Sequence, residues 1–118
     1  MSITRLGVTT RWSDIVIHQN TAYLVEVAAD PAADTDTQCR AVLDQLAATL
    51  ARAGSDPAHL LMVTVYLADI RDIDCFNRYW DAWVPAGHAP VRACVQAALA
   101  HPGYRVEIQA TAAITDRS

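Results

Sequence analysis

Ala89-Pro90-Val91-Arg92-Ala93-Cys94-Val95-Gln96 and, after a break at His101-Pro102-Gly103, Tyr104-Arg105-Val106-Glu107-Ile108-Gln109-Ala110 are the stretches on which the fold turns. Each alternates apolar and polar residues, the period-two signature of a strand with one wet and one dry face. Arg92, Cys94 and Gln96 share a face of the first strand, and Arg105, Glu107 and Gln109 share a face of the second. The connection between them predicts an antiparallel hairpin. In such a hairpin both polar faces lie together, so a guanidinium, a thiol and a carboxylate converge on one side of a sheet. That set suits a small organic anion.

Outward from the hairpin, the rest of the chain supplies a sheet and two helices. Residues 2–6 read as a short edge strand. Asp14 to His18 and Thr21 to Ala28 are strand-like, joined by a tight turn at Gln19-Asn20. Cys39, Val42, Leu43, Leu46 and Leu50 recur at three and four, which predicts a helix over 37–53. Asp34 or Asp36 caps its start and Gly54 its end. Asp56-Pro57 starts a single turn. Leu60 to Ala68 reads as a central strand with both faces buried. Ile73, Phe76, Trp80, Trp83 and Val84 form the stripe of a second helix, with capping candidates at Asp69 to Asp72 and an end at Pro85 and Gly87. Thr115 to Ser118 reads as a frayed tail.

The order is strands, helix, strand, helix, two strands, an α+β class with a mixed sheet and two helices on one face. At 118 residues, this is one domain over 1–118. Two helices cover only one sheet face, so the other meets water or another subunit. The polar face of the hairpin is expected on the uncovered side, where a second subunit would deepen a shallow site and exclude water.

Composition narrows the function. A hydrophobic fraction of 53% with 19% charged residues marks a packed globular chain. The net charge of -4 argues against a nucleic-acid surface, and the absence of Lys removes Schiff-base and P-loop chemistry. Cys39, Cys75 and Cys94 are far apart and form no paired motif, which points to a reducing compartment. His18, His59, His88 and His101 have no ligand spacing, so no metal is expected. No signal core and no run of about 18 apolar residues is present, so a soluble, cytoplasmic protein without membrane contact is expected. For Arg92 and Glu107 the competing role is a structural ion pair, and for Cys94 it is a small buried hydrophobe. Trp80 and Trp83 read as core or interface packing.

The two strand motifs, with Arg11-Trp12-Ser13-Asp14-Ile15-Val16-Ile17-His18, Ala53-Gly54-Ser55, the strand over 63–69 and Trp80-Asp81-Ala82-Trp83-Val84, resemble the reactive-intermediate deaminase family, the RidA/YjgF-like proteins. The resemblance spans about residues 5–114, and the tryptophan-containing segments resemble a side branch typified by an enterobacterial member. It implies a chorismate-mutase-like α+β subunit in a homotrimer with clefts between subunits. It further implies hydrolysis of 2-imino or 2-enamino acids to 2-oxo acids and ammonia, without metal or organic cofactor. By position, Arg92 matches the arginine that grips the substrate carboxylate, and Glu107 matches the acid that orients water. Cys94 lies beside the pocket through its backbone, and Trp12 matches a pocket-lining aromatic. Leu24-Val25-Glu26-Val27 departs from the family pattern, which has a glycine where Glu26 stands. A Glu26 carboxylate pointing into the cleft would remove or redirect activity. The alternative on the same scaffold is a non-catalytic small-carboxylate or protein-binding module. Ribonuclease activity fits the acidic, lysine-free composition poorly.

Overall fold

The computed structural model describes residues 2–115. Three strands open the chain: β1 (Thr4–Leu6), β2 (Ile15–His18) and β3 (Thr21–Val27). Helix α1 (Thr35–Arg52), strand β4 (Leu60–Leu67), helix α2 (Ile73–Trp83) and strands β5 (Val91–Gln96) and β6 (Val106–Ala113) follow. The sheet order is β1-β2-β3-β6-β4-β5, antiparallel throughout except for the parallel pair of β4 and β5. The expected α+β architecture is observed, with both helices packed on one sheet face.

Local chemistry sets the element ends. Gln19 and Asn20 both have positive φ (52° and 66°), which makes the tight turn between β2 and β3. Of the two capping candidates for α1, Asp34 does the work: its carboxylate accepts from Thr37 N at 2.8 Å. Gly54, at φ 81°, closes the helix in the left-handed region. Asp69 accepts from Arg71 N at the turn before α2, whereas Asp72 precedes α2 without a capping bond.

Alternation along each strand sorts the two faces. Ala22, Leu24, Val63, Val65, Leu67, Val106, Ile108, Ala110 and Ala112 are buried under the helices, against Val42, Leu43, Leu46 and Leu50 of α1 and Phe76 and Trp80 of α2. Each buried Val, Leu or Ile side chain among them contributes about 1.5–3 kcal/mol by leaving water. The opposite face carries Tyr23, Val25, Met62, Thr64, Tyr66, Gln109 and Thr111 and is uncovered in the single chain. Strand β4 was expected to be buried on both faces. It is central, between β6 and β5, but its second face is open, with Met62 52% exposed.

The expected hairpin is not formed. Strand β4 lies between β5 and β6, so these two never pair. The reason is the crossover through α2: a strand–helix–strand unit returns parallel, which seats β5 beside β4 at the sheet edge. Residues 97–105 then pass the end of β4 and deliver β6 to its other side. That connection is stapled by buried Gln38 of α1. Its Nε2 donates to Gly103 O at 2.8 Å and Ala33 O at 2.9 Å, and its Oε1 accepts from Arg105 N at 2.9 Å. Gly103 sits so close that a Cβ there would meet Pro31 O at 2.3 Å. Thr115, expected to fray, donates its N–H to Gly54 O at 2.9 Å; the remainder of that tail, 116–118, lies outside the described residues. No helix among the described residues is long and apolar enough to cross a membrane.

Candidate functional site

Register decides which face each candidate occupies. Arg92, Cys94 and Gln96 of β5 stand opposite Val63, Val65 and Leu67, so they lie on the helix-covered face. Glu107 and Gln109 of β6 stand opposite Tyr66 and Thr64, on the open face. The expectation that Arg92 and Glu107 share a sheet face on the uncovered side is therefore corrected. Within one chain they lie on opposite faces, separated by the full width of β4. The cause is the insertion of β4 between the two strands.

Arg92 occupies the outermost strand beneath α2. Its Nη1 donates to Asn77 Oδ1 at 2.8 Å, and its Cζ lies 5.4 Å from the Trp80 ring centre and 5.9 Å from that of Phe76. Aromatic faces attract the cation without neutralising it. Among the described residues no carboxylate pairs with this guanidinium. The half-buried Cys94 thiol is pushed above its ordinary pKa by burial, partly offset by the Arg92 charge, which keeps it protonated at neutral pH. That suits a neutral wall better than a nucleophile. Asn77 carried no sequence signal beyond its place on the polar edge of the α2 stripe.

The other candidates gather at the opposite end of the sheet. Strand β2 starts at Ile15, opposite Leu24, so Val25 to Val27 have no strand neighbour on that side. The loop between β1 and β2 stands off this edge and leaves a cavity of about 420 Å³ lined by Trp12, Ser13, Asp14, Val25, Glu26 and Val27. The loop is held by Thr9, whose N–H donates to Trp12 O at 2.7 Å and whose Oγ1 accepts from Trp12 N at 3.1 Å. It presents the Trp12 ring 61% exposed. Glu107, half-buried, pairs across β3 and β6 with Val27, which lines this cavity, and shares the open face with it. Cross-strand partners are only about 5 Å apart at Cβ.

The sequence leaves open whether Glu26, a substrate-binding candidate, points into the cleft. Strand parity turns it to the helix side, in line with Ala22 and Leu24, where its carboxylate accepts from Thr49 Oγ1 and from Gln45 Nε2 at 3.3 Å. It still lines the cavity wall. Asp14, beside it, pairs with Arg52 at 3.5 Å. The structure thus makes two half-sites: Trp12, Glu26 and Glu107 at one end, Arg92 and Cys94 at the other edge. Among the described residues no three His, Cys, Asp or Glu side chains come together as a metal site.

The Endoribonuclease L-PSP family matches residues 2–114. The RutC family protein YoaB of Escherichia coli K12 is 46% identical over 114 residues, 97% of this chain and 100% of YoaB. The rat 2-iminobutanoate/2-iminopropanoate deaminase is 30% identical over 108 residues, 86% of this chain and 78% of that protein. The crystal structure of a YjgF family member from Neisseria meningitidis superposes with a TM-score of 0.93 at 42% identity, covering 98% of each chain. With its two strand motifs, its sheet order and these matches in agreement over nearly its whole length, the chain belongs to the Endoribonuclease L-PSP family, the YjgF/RidA proteins.

Proposed function

We propose that the protein hydrolyses 2-imino and 2-enamino acids to 2-oxo acids and ammonia, in clefts between the subunits of a homotrimer. The observation that carries this reading is the Arg92 guanidinium, a permanent positive fork on an edge strand, oriented by neutral Asn77 and two aromatic rings and paired with no carboxylate among the described residues. A planar fork of this kind takes a carboxylate through two parallel hydrogen bonds. The name of the rat relative supports the substrate class.

Because Arg92 and Glu107 lie on opposite faces of one sheet, a site using both draws them from two copies. In this reading the edge bearing Arg92 and Cys94 of one subunit closes over the Trp12 cavity of its neighbour, beside that neighbour's Glu107. The apolar open face, with Tyr23, Val25 and Met62 exposed, supports such an assembly. In the cleft, Arg92 fixes the substrate carboxylate and hence the adjacent imine carbon. Glu107 holds a water and takes its proton as the oxygen adds to the protonated imine. Glu107 returns that proton to the carbinolamine nitrogen, the C–N bond breaks, and the hydroxyl proton passes to the departing ammonia, giving the 2-oxo acid and ammonium. Positioning and one proton relay suffice, since imines hydrolyse readily in water.

Imine generated in situ by an amino-acid oxidase tests the reading. Arg92→Ala and Glu107→Gln are each expected to be inactive. Mixed and refolded together they should recover about one quarter of wild-type activity, the random-assembly share of intact two-subunit sites. Wild-type rates no better than Arg92→Ala would refute the enzymatic reading. Ligand stabilisation without turnover would favour the small-carboxylate binding module instead.

A further inference from the structure

Glu26 stands on the boundary between two grooves. One is the 420 Å³ cavity beside Trp12; the other, of about 350 Å³, runs under α1 and is lined by Asp14, Val25, Glu26, Gln45, Thr49 and Arg52. Gln45 is a clamp: its Nε2 donates to Val27 O at 2.6 Å and to Glu26 at 3.3 Å, and its Oε1 accepts from Ala29 N at 2.9 Å. With Thr49 Oγ1 donating from the next turn of α1, the Glu26 carboxylate is held in one orientation. An ionised carboxylate has about four acceptor positions, and only two are used here.

This clamp does not require a charge. Gln45 has two backbone partners without Glu26, and a neutral amide oxygen would accept from Thr49 equally well. The charge is left over for something else. Asp14 lines both grooves too, and Arg52 approaches Asp14 rather than Glu26. Two carboxylates against one guanidinium leave the junction of the grooves negative.

We propose that Glu26 is a specificity-determining residue that selects 2-imino acids whose side chains end in an amino or guanidinium group. The inference rests on the deaminase reading above. A substrate anchored through its carboxylate by Arg92 of the neighbouring subunit directs its side chain into the Trp12 cavity. The apolar stem packs on Trp12 and Val25, and the distal donor meets the free acceptor positions of Glu26, with Asp14 adding to the field. A short alkyl side chain leaves Glu26 unreached, and an acidic one is repelled. A hydrogen bond to a charged group discriminates more strongly than an added methylene does.

The test compares two imines made in situ by a flavin amino-acid oxidase, the guanidino imine from arginine and the alkyl imine from norvaline, on the assembled protein. Wild type should favour the guanidino imine in kcat/KM by about tenfold, and Glu26→Gln should lower that ratio by about tenfold, mainly through KM. A wild-type ratio of one or less overturns the proposal, as does an unmoved ratio in a Glu26→Gln protein that melts like wild type. Should Glu26→Gln not fold, Asp14→Asn carries the same comparison with a smaller expected drop. If neither imine is hydrolysed above the Arg92→Ala background, the deaminase reading fails on its own. Calorimetry with 2-oxo-5-guanidinopentanoate and 2-oxopentanoate then decides the selectivity. A Glu26-dependent preference upholds it, and equal affinity overturns it.

Discussion

Arg92 donates to Asn77 Oδ1 at 2.8 Å, so the orientation of the cationic fork on β5 is set by a neutral side chain on α2. The choice of an amide matters. A carboxylate at that position would hold the fork as well and cancel its charge. Asn77→Asp is therefore expected to raise KM for imino acids by tenfold or more through a competing ion pair, with the melting temperature preserved or raised. Asn77→Ala loosens the fork without neutralising it and should cost less in KM. Steady-state kinetics on both variants checks the order; equal effects would mean that Asn77 acts only through packing.

The open sheet face yields a second prediction. Met62 and Tyr23 both flank Thr111 across the strands, and all three lie on the side away from the helices. Met62→Glu places a charge in this face at little cost to a single subunit, because the site is already half exposed there. Sedimentation should show dissociation to a folded, inactive single chain. An assembly that persists in Met62→Glu would remove this face from the interface.

Much of this was legible in the sequence, and the exception is instructive. Both helices and the strands around Arg92 and Glu107 follow from periodicity, and β4 from its apolar run. What periodicity does not give is the neighbour of each strand. The polar sets around Arg92 and Glu107 were found correctly, but whether they meet depends on a strand inserted between them. One clue existed: a central strand over 60–67 demands a partner on each side, and β5 and β6 are the two strands that follow it. Glu26 is a similar case. Its parity with Ala22 and Leu24 aims it at α1, where Gln45 and Thr49, four residues apart, present a matched pair of donors. Gln38, buried and fully bonded, gave no signal at all, since its partners are backbone atoms 5, 65 and 67 residues away.

Gln38 carries the third prediction. Two of its three hydrogen bonds tie α1 to the 97–105 connection between β5 and β6, and the third reaches Ala33 O just before the helix. Removing Gln38 leaves the Arg105 N–H and the Ala33 and Gly103 carbonyls without this partner, each costing about 1–3 kcal/mol where water does not enter. Gln38→Leu keeps the volume and should destabilise by about 3 kcal/mol or more. Gln38→Glu, which keeps the acceptor for Arg105 N but loses the donor to Gly103 O, should also destabilise. Chemical denaturation distinguishes this from a surface role, for which Gln38→Leu would change stability little.

The fourth concerns acid. Asp69 accepts Arg71 Nε and Nη2 in a two-pronged pair (3.1 and 2.7 Å) and also Arg71 N at 2.9 Å, which holds its carboxyl down at about 2. Asp36 is lowered by the Tyr79 hydroxyl first and by Arg78, and Asp34 by the Thr37 N–H it caps. In the unfolded chain these groups titrate near 4. A folded pKa below the unfolded one gives stability that is fully present above about pH 4 and is lost as pH falls through the folded value. Asp69→Asn should therefore lower the melting temperature at pH 6, and the gap from wild type should close between about pH 4 and pH 2, once the native carboxyl is itself protonated. Asp69 is half-exposed, with its side chain 33% accessible, so added salt should narrow the gap at pH 6 as well. A gap that stays constant across that range would mean that the Asp69 hydrogen bonds, and not its ionisation, carry the effect.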